Sequence, residues 1–329
     1  CIAILSGNSN LELAKKISQY LEISLSNMIV DQFANTEVHV QINENIRRKE
    51  VIIVATGTAF TKGSFTASVN DAVMETLIIA NACKLSSAES ITLVMPNYPY
   101  ARQDKKDVSR APISGRLIAN MLINAGITRL VTLDFHASQI AGFFDIPVDN
   151  IYSVNVMVDY IRENYLNQSK SCNYVMVSPD AGGIKRVNAM ASKLKMSTVI
   201  MHKQRNHESK NTVMKTLLIG EENCVKDKDC ILVDDICDTA GTVIKACQTL
   251  QENGAKSVIL MMVHGILSGP AIERINNCSI IKEIVVTNSV PQEEHQKLCP
   301  KLKIIDVGAL LGETIRRLFT GESISDLFK

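Results

Sequence analysis

Short apolar runs alternate with amphipathic segments along the whole chain. Residues 1–6 are apolar and read as a strand, and Gly7-Asn8-Ser9-Asn10 turns into a helix over residues 11–21. Residues 28–32 read as a second strand, and Val38, Val40 and Ile42 alternate with polar neighbours as a half-buried strand does. A strand opens at residues 50–56. The stretch 57–70, rich in Thr, Ser and Gly, reads as loop, followed by helix 71–85, strand 90–95, helix 114–124 and strand 130–133. Residues 155–165 are helical, and 167–173 form a polar turn. The pattern then restarts with strand 174–177, a helix ending at Leu194, strands 197–202 and 212–220, an apolar strand opening at Cys230, helix 243–253 and strand 257–263. Strands 280–287 and 303–306 and helix 308–319 complete it. Continuous apolar strands alternating with helices predict an α/β fold with mostly parallel sheets. The restart divides the chain into residues 1–154 and 155–329, with the last residues packing back on the first domain.

Composition narrows the class. A length of 329 residues fits about two domains of roughly 150 each. Lys+Arg 35 against Asp+Glu 34 leaves no basic footprint for nucleic acid or an acidic membrane. The nine cysteines are scattered, odd in number and without a C-x-x-C, which favours reduced thiols in a cytoplasmic setting. No apolar run is long enough to span a bilayer. The chain begins at Cys1, which leaves an upstream targeting segment open.

The densest chemistry lies in Cys230-Ile231-Leu232-Val233-Asp234-Asp235-Ile236-Cys237-Asp238-Thr239-Ala240-Gly241-Thr242. An apolar strand ends in two carboxylates, and a turn of small and hydroxylated residues enters a helix. Helix amides attract an anion, and Thr239 and Thr242 add hydroxyls. Asp234, Asp235 and Asp238 would repel a lone phosphate, but carboxylates accept hydrogen bonds from sugar hydroxyls. The pattern therefore suits a sugar phosphate. The bland reading makes Asp238 a helix N-cap. No Walker A motif occurs, which disfavours a P-loop kinase.

Other loops also follow strand ends, where open α/β sheets bind ligands. Asp180-Ala181-Gly182-Gly183 is a second anion nest, in which Asp180 offers oxygen to a hard cation or caps the helix. Phe33 beside Asn35 and Glu37 reads either as a hairpin with one core aromatic or as a stacking platform for a planar base. Arg102 and Gln103 stand in a charged run, His136 follows a strand end, and Lys203 and Arg205 open a polar segment.

The stretch at Asp234 resembles the phosphoribosyl-binding loop of type I phosphoribosyltransferase-like proteins. Four pieces in order resemble the ribose-phosphate pyrophosphokinase family: Pro99-Tyr100-Ala101-Arg102-Gln103-Asp104-Lys105-Lys106, Phe135-His136-Ala137-Ser138-Gln139, Asp180-Ala181-Gly182-Gly183, and residues 234–242. That resemblance implies two tandem type I domains and a reaction in which ATP and ribose 5-phosphate give AMP and 5-phosphoribosyl 1-pyrophosphate. It also implies Mg2+ as cofactor and a homo-oligomer, usually a hexamer. By resemblance Phe33, Asn35, Glu37, Arg102, Gln103 and His136 bind ATP, and His136 and Asp180 contact metal. Asp180, Ala181, Gly182 and Gly183 form the pyrophosphate loop. Asp234, Asp235, Asp238, Thr239, Ala240, Gly241 and Thr242 bind ribose 5-phosphate, and Lys203 and Arg205 are catalytic. Residues 57–68 are longer than the family pattern, and Asn45 stands where regulated members carry serine. The rival readings are a phosphoribosyltransferase that consumes the pyrophosphate sugar and a non-catalytic synthetase-associated subunit.

Overall fold

The computed structural model describes residues 1–63, 65–166, 173–205, 214–221 and 223–328. Two units result: Cys1–Tyr152 with Asn288–Pro291 and Asp306–Lys329, and Ser153–Thr287 with Gln292–Ile305.

The first unit contains β1 (Ile2–Ser6), α1 (Leu11–Leu21), β2 (Met28–Gln32), β3 (Val38–Ile42), β4 (Glu50–Val54), β5 (Phe60–Lys62), β6 (Phe65–Ala67), α2 (Val69–Leu85), β7 (Ser90–Val94), α3 (Ser114–Ala125), β8 (Arg129–Leu133) and β9 (Val148–Ile151). Its main sheet runs β1-β4-β7-β8-β9, all parallel. Val51, Ile52, Ile53 and Val54 are fully buried in a row, so both faces of β4 are covered, as an unbroken apolar run requires. β2–β3 and β5–β6 are separate antiparallel hairpins.

The second unit contains α4 (Val154–Ile161), β10 (Tyr174–Ser178), α5 (Ile184–Leu194), β11 (Thr198–Arg205), β12 (Met214–Ile219), β13 (Asp229–Cys237), α6 (Gly241–Glu252), β14 (Ser257–Gly265), α7 (Ala271–Asn277), β15 (Ile281–Thr287), α8 (Glu293–Leu298) and β16 (Leu302–Ile305). Its sheet order is β12-β11-β10-β13-β14-β15-β16, parallel except for the β11–β12 edge pair. The predicted α/β class with parallel sheets holds. The described cysteines are all free thiols. Among the described residues no helix is long and apolar enough to cross a membrane.

The last helix, α9 (Gly308–Thr320), belongs to the first unit and packs on α1. Lys16 pairs with Asp306 at 2.5 Å, and the Tyr20 hydroxyl donates to Glu313 at 2.8 Å. Gly312 permits the approach, because a Cβ there would lie 2.6 Å from Tyr20 Cδ1.

Several expectations need correcting. Residues 57–70 are not plain loop: they hold the β5–β6 hairpin and the start of α2. Phe60 and Ala67 bury against Ala72 in a small satellite core, but three-residue strands offer too few alternations to read as a period. The helix after Ser153 stays α only to Ile161 and widens into a π turn over Arg162–Leu166. β9, α7 and α8 are short elements with no long apolar period, and they escape the reading. β11 continues past residue 202 to Arg205, and β13 runs through both acids to Cys237.

The α1–α9 contact gives a stability prediction. Gly312→Ala overpacks Tyr20 and lowers unfolding free energy by about 1–3 kcal/mol in urea denaturation. In a Tyr20→Ala background the same change costs less, because the obstructing ring is gone.

Candidate active site

Strand order in the second unit reverses between β10 and β13. From β10 the chain continues outward to β11, whereas β13 leads the other way to β14, β15 and β16. Open α/β sheets bind ligands in the crevice beyond the carboxyl ends of the strands flanking such a reversal. The two loops leaving these strands are the glycine nest after β10 and the acidic turn after β13.

Asp235 is 7 % exposed and Asp234 is half-buried. The Asp235 amide donates to Asp234 Oδ1 at 2.9 Å. Burial pushes the Asp234 carboxyl up to about 7, the Asp235 charge adds to the rise, and Asp180 contributes further. β10 and β13 are parallel hydrogen-bonded neighbours, so the loops leaving them emerge at the same edge of the sheet. Asp238 is not the N-cap. That position belongs to Ala240, in a left-handed conformation at φ 60°. Alanine has no side-chain acceptor for the first α6 amides, so the N-cap itself does not compete with an anion there. The left-handed backbone at a residue with a Cβ is unfavourable by about 1–2 kcal/mol, a strain of the kind found at ligand sites. Thr239 and Thr242 are exposed beside it, and Gly241 starts the helix. Arg274 on α7 donates from its Nη1 to the Thr239 carbonyl at 2.9 Å and steadies the turn. No sequence signal points to this residue, because α7 is too short to show an apolar period.

After β10, the Ser178 hydroxyl donates to the Asp180 carbonyl at 2.7 Å, and the Gly183 amide donates to Asp180 Oδ1 at 3.0 Å. Asp180 thus ties down a tight turn and takes up one amide of the nest, but it is not the helix N-cap: that position belongs to Gly183, with no side-chain cap bond. Ala181 and Gly182 are exposed above it. A Cβ on Gly183 would come 3.0 Å from Ser178 Oγ.

In the first unit the predicted residues fall into two groups. Phe33, Asn35 and Glu37 share the tip of the β2–β3 hairpin. Phe33 is 55 % exposed, which overturns the core-aromatic reading. Its ring centroid lies 5.1 Å from that of His39. The Phe33 amide donates to the Glu37 carbonyl at 2.9 Å, and the Glu37 amide to Asn35 Oδ1 at 3.3 Å. Arg102 and Gln103 follow β7, and exposed His136 follows β8. Buried Asp104 accepts from Gln139 Nε2 at 2.5 Å, joining these two loops. The Ser114 hydroxyl donates to Gln103 Oε1 at 2.6 Å and fixes Gln103 against the start of α3. Phe135, edge-on to Tyr98 at 5.5 Å, buries the residue before His136 and leaves the imidazole outside.

The backbones of Lys203 and Arg205 lie in β11, opposite Thr216 and Met214. Their side chains lie outside the described residues, as do residues 206–213. Among the described residues no group of three or more His, Cys, Asp or Glu side chains could hold a metal ion.

The second unit is an α/β sheet with an acidic, hydroxyl-bearing turn at its strand-order reversal. Residues 2–126 match the N-terminal domain of ribose phosphate pyrophosphokinase, and residues 218–329 match the phosphoribosyl synthetase-associated domain. The chain is 46 % identical to ribose-phosphate pyrophosphokinase 2 of Schizosaccharomyces pombe over 99 % of its length and 97 % of that protein. The crystal structure of phosphoribosylpyrophosphate synthetase from Mycobacterium smegmatis is 36 % identical, with a TM-score of 0.86 over 97 % of this chain and 99 % of that one. The chain belongs to the ribose-phosphate pyrophosphokinase family.

The raised Asp234 carboxyl has a pH consequence. Its folded value lies above the ordinary carboxylate value near 4. Its destabilising charge is therefore absent below about pH 4 and grows as pH rises towards about 7. Asp234→Asn should leave the melting temperature unchanged at about pH 4 and raise it at about pH 8. Thermal melts at the two values check this, and an equal shift at both would contradict it.

Proposed function

We propose that this chain transfers the β,γ-diphosphoryl group of ATP to the 1-hydroxyl of ribose 5-phosphate, giving 5-phosphoribosyl 1-pyrophosphate and AMP. The observation that carries the reading is the β10/β13 reversal, where β13 carries Asp234 and Asp235 and leads through a short turn into α6, whose N-cap Ala240 makes no side-chain cap bond. A sugar phosphate satisfies both halves: its hydroxyls donate to carboxylates, and its phosphate accepts from amides and from Thr239 and Thr242. Asp238, Ala240 and Gly241 complete that turn.

Phe33 stacks on adenine while Asn35 and Glu37 meet the edge of the base. Arg102, Gln103 and His136 hold the phosphate chain, and Asp180, Ala181, Gly182 and Gly183 act as the pyrophosphate loop. The ribose 1-oxygen attacks the β-phosphorus, the bond from that phosphorus to the oxygen bridging the α-phosphate breaks, and AMP leaves. Such a transfer depends on alignment and charge neutralisation more than on a covalent nucleophile. Lys203 and Arg205 stabilise the charge that develops on the leaving oxygen.

The donor set fits magnesium that arrives with the nucleotide phosphates better than magnesium in an all-protein cage. Exposed Asp180 is the proposed oxygen donor of the second unit, and exposed His136 the proposed metal contact of the first. When bound it neutralises phosphate charge. The reading includes a cytoplasmic homo-oligomer, a hexamer, with no nucleic-acid or membrane partner.

The test is to measure AMP and the pyrophosphorylated sugar from the purified chain with ATP, magnesium and ribose 5-phosphate, omitting each in turn. Both products should form only with all three present. No AMP from a folded, nucleotide-binding preparation would overturn the reading in favour of a non-catalytic subunit. Lys203→Ala should lower kcat by about 100-fold or more while the ATP KM stays within about twofold. Equal losses in both would make Lys203 a binding residue only.

A further inference from the structure

We infer that Lys62, on the β5–β6 hairpin, is a positioning residue for the hairpin that presents Phe33. The inference rests on reading Phe33, Asn35 and Glu37 as the adenine contact, and it gives residues 57–68 a role.

The β5–β6 hairpin is itself well anchored. Phe60 and Ala67 bury against Ala72 on α2, with Phe65 packed on them. Ser68 and Asp71 form a reciprocal capping box at the start of the same helix. One turn further along α2, Glu75 is only 4 % exposed. It accepts from the Asn8 amide at 2.6 Å and from Asn8 Nδ2 at 2.8 Å. Lys62 Nζ donates to the Val30 carbonyl at 2.7 Å, and Asn8 Nδ2 reaches the same oxygen at 3.3 Å. The Lys62 charge also favours the ionised form of Glu75, against the burial that raises its pKa.

The Val30 carbonyl is a lever point for a geometric reason. The Phe33 amide donates to the Glu37 carbonyl one step beyond the Gln32–Val38 end of the β2–β3 ladder, and the Asn43 amide donates to the Asn27 carbonyl beyond its other end. Bonded and non-bonded pairs alternate in an antiparallel ladder, so Val30, three residues back, points its carbonyl away from β3. That oxygen needs partners from outside the hairpin, and Lys62 and Asn8 supply them. A two-stranded ribbon is marginal by itself. The tie on β2 lies three residues before Phe33, so it sets where the exposed ring stands. A Lys62 with only a general structural role would affect stability and all kinetic constants together.

The test uses the full chain. It contains no tryptophan, so Phe33→Trp adds a single reporter at the hairpin tip. In that background Lys62→Met should lower the indole fluorescence anisotropy, and Lys62→Arg should not. In the Phe33 chain, Lys62→Met should raise the ATP KM about 3- to 10-fold while kcat and the ribose 5-phosphate KM stay within about twofold, with Lys62→Arg close to wild type. Both results are required. An unchanged anisotropy, an unchanged ATP KM, or a parallel change in all three constants each overturns the inference. If the wild-type chain makes no product, the proposed function fails. ATP affinity, read by quenching of the indole in the Phe33→Trp variant, then replaces KM, and the same outcomes decide the Lys62 link.

Discussion

Two adjacent carboxylates near the end of a central strand are the constraint on which the second unit depends. Asp234 and Asp235 sit in β13, beside the strand-order reversal, with Asp180 close enough to add to their repulsion. Burying like charges together is unfavourable, and the fold relieves it in part by keeping Asp234 prone to hold a proton. A ligand offering hydroxyl donors relieves it further. The same turn supplies the opposite electrostatics a few residues on, where α6 begins without a side-chain cap at Ala240. Negative and positive partial charges adjoin at one strand end, and a polyhydroxylated phosphate matches both.

The first unit solves a different problem, that of holding exposed side chains still. Phe33 and His136 are exposed, yet each follows a fixed backbone. Phe135 is buried against Tyr98, Asp104 and Gln139 join the loops after β7 and β8, and the β2 strand is tied to the buried Glu75–Asn8 pair through the Val30 carbonyl. Exposed side chains whose neighbours are buried are held in place in advance, and such preorganisation reduces the ordering cost of any binding they take part in.

Much of this is legible in the chain. Uninterrupted apolar runs such as Val51 to Val54 mark the buried parallel strands, and the amphipathic spacing after Asn10 sets the bounds of α1. The acidic turn is legible because its residue types conflict with a plain phosphate loop. What escapes depends on contacts distant in sequence. The continuation of β13 through two acids contradicts strand hydropathy and is fixed by pairing with β14. Phe33 looks like core material by residue type, and only the hairpin geometry turns it outward. Glu75 within an apolar helix is a signal that the sequence does carry, since a carboxylate on a buried face requires partners. The β5–β6 hairpin is too short to show a period.

The most direct test of the central claim follows the β-phosphorus of ATP. ATP labelled at that atom is incubated with magnesium, ribose 5-phosphate and the purified chain, and the products are separated. The account predicts that the label appears in the sugar diphosphate and that AMP is unlabelled. Label retained in a nucleoside diphosphate would mean transfer of the terminal phosphate alone and would contradict it.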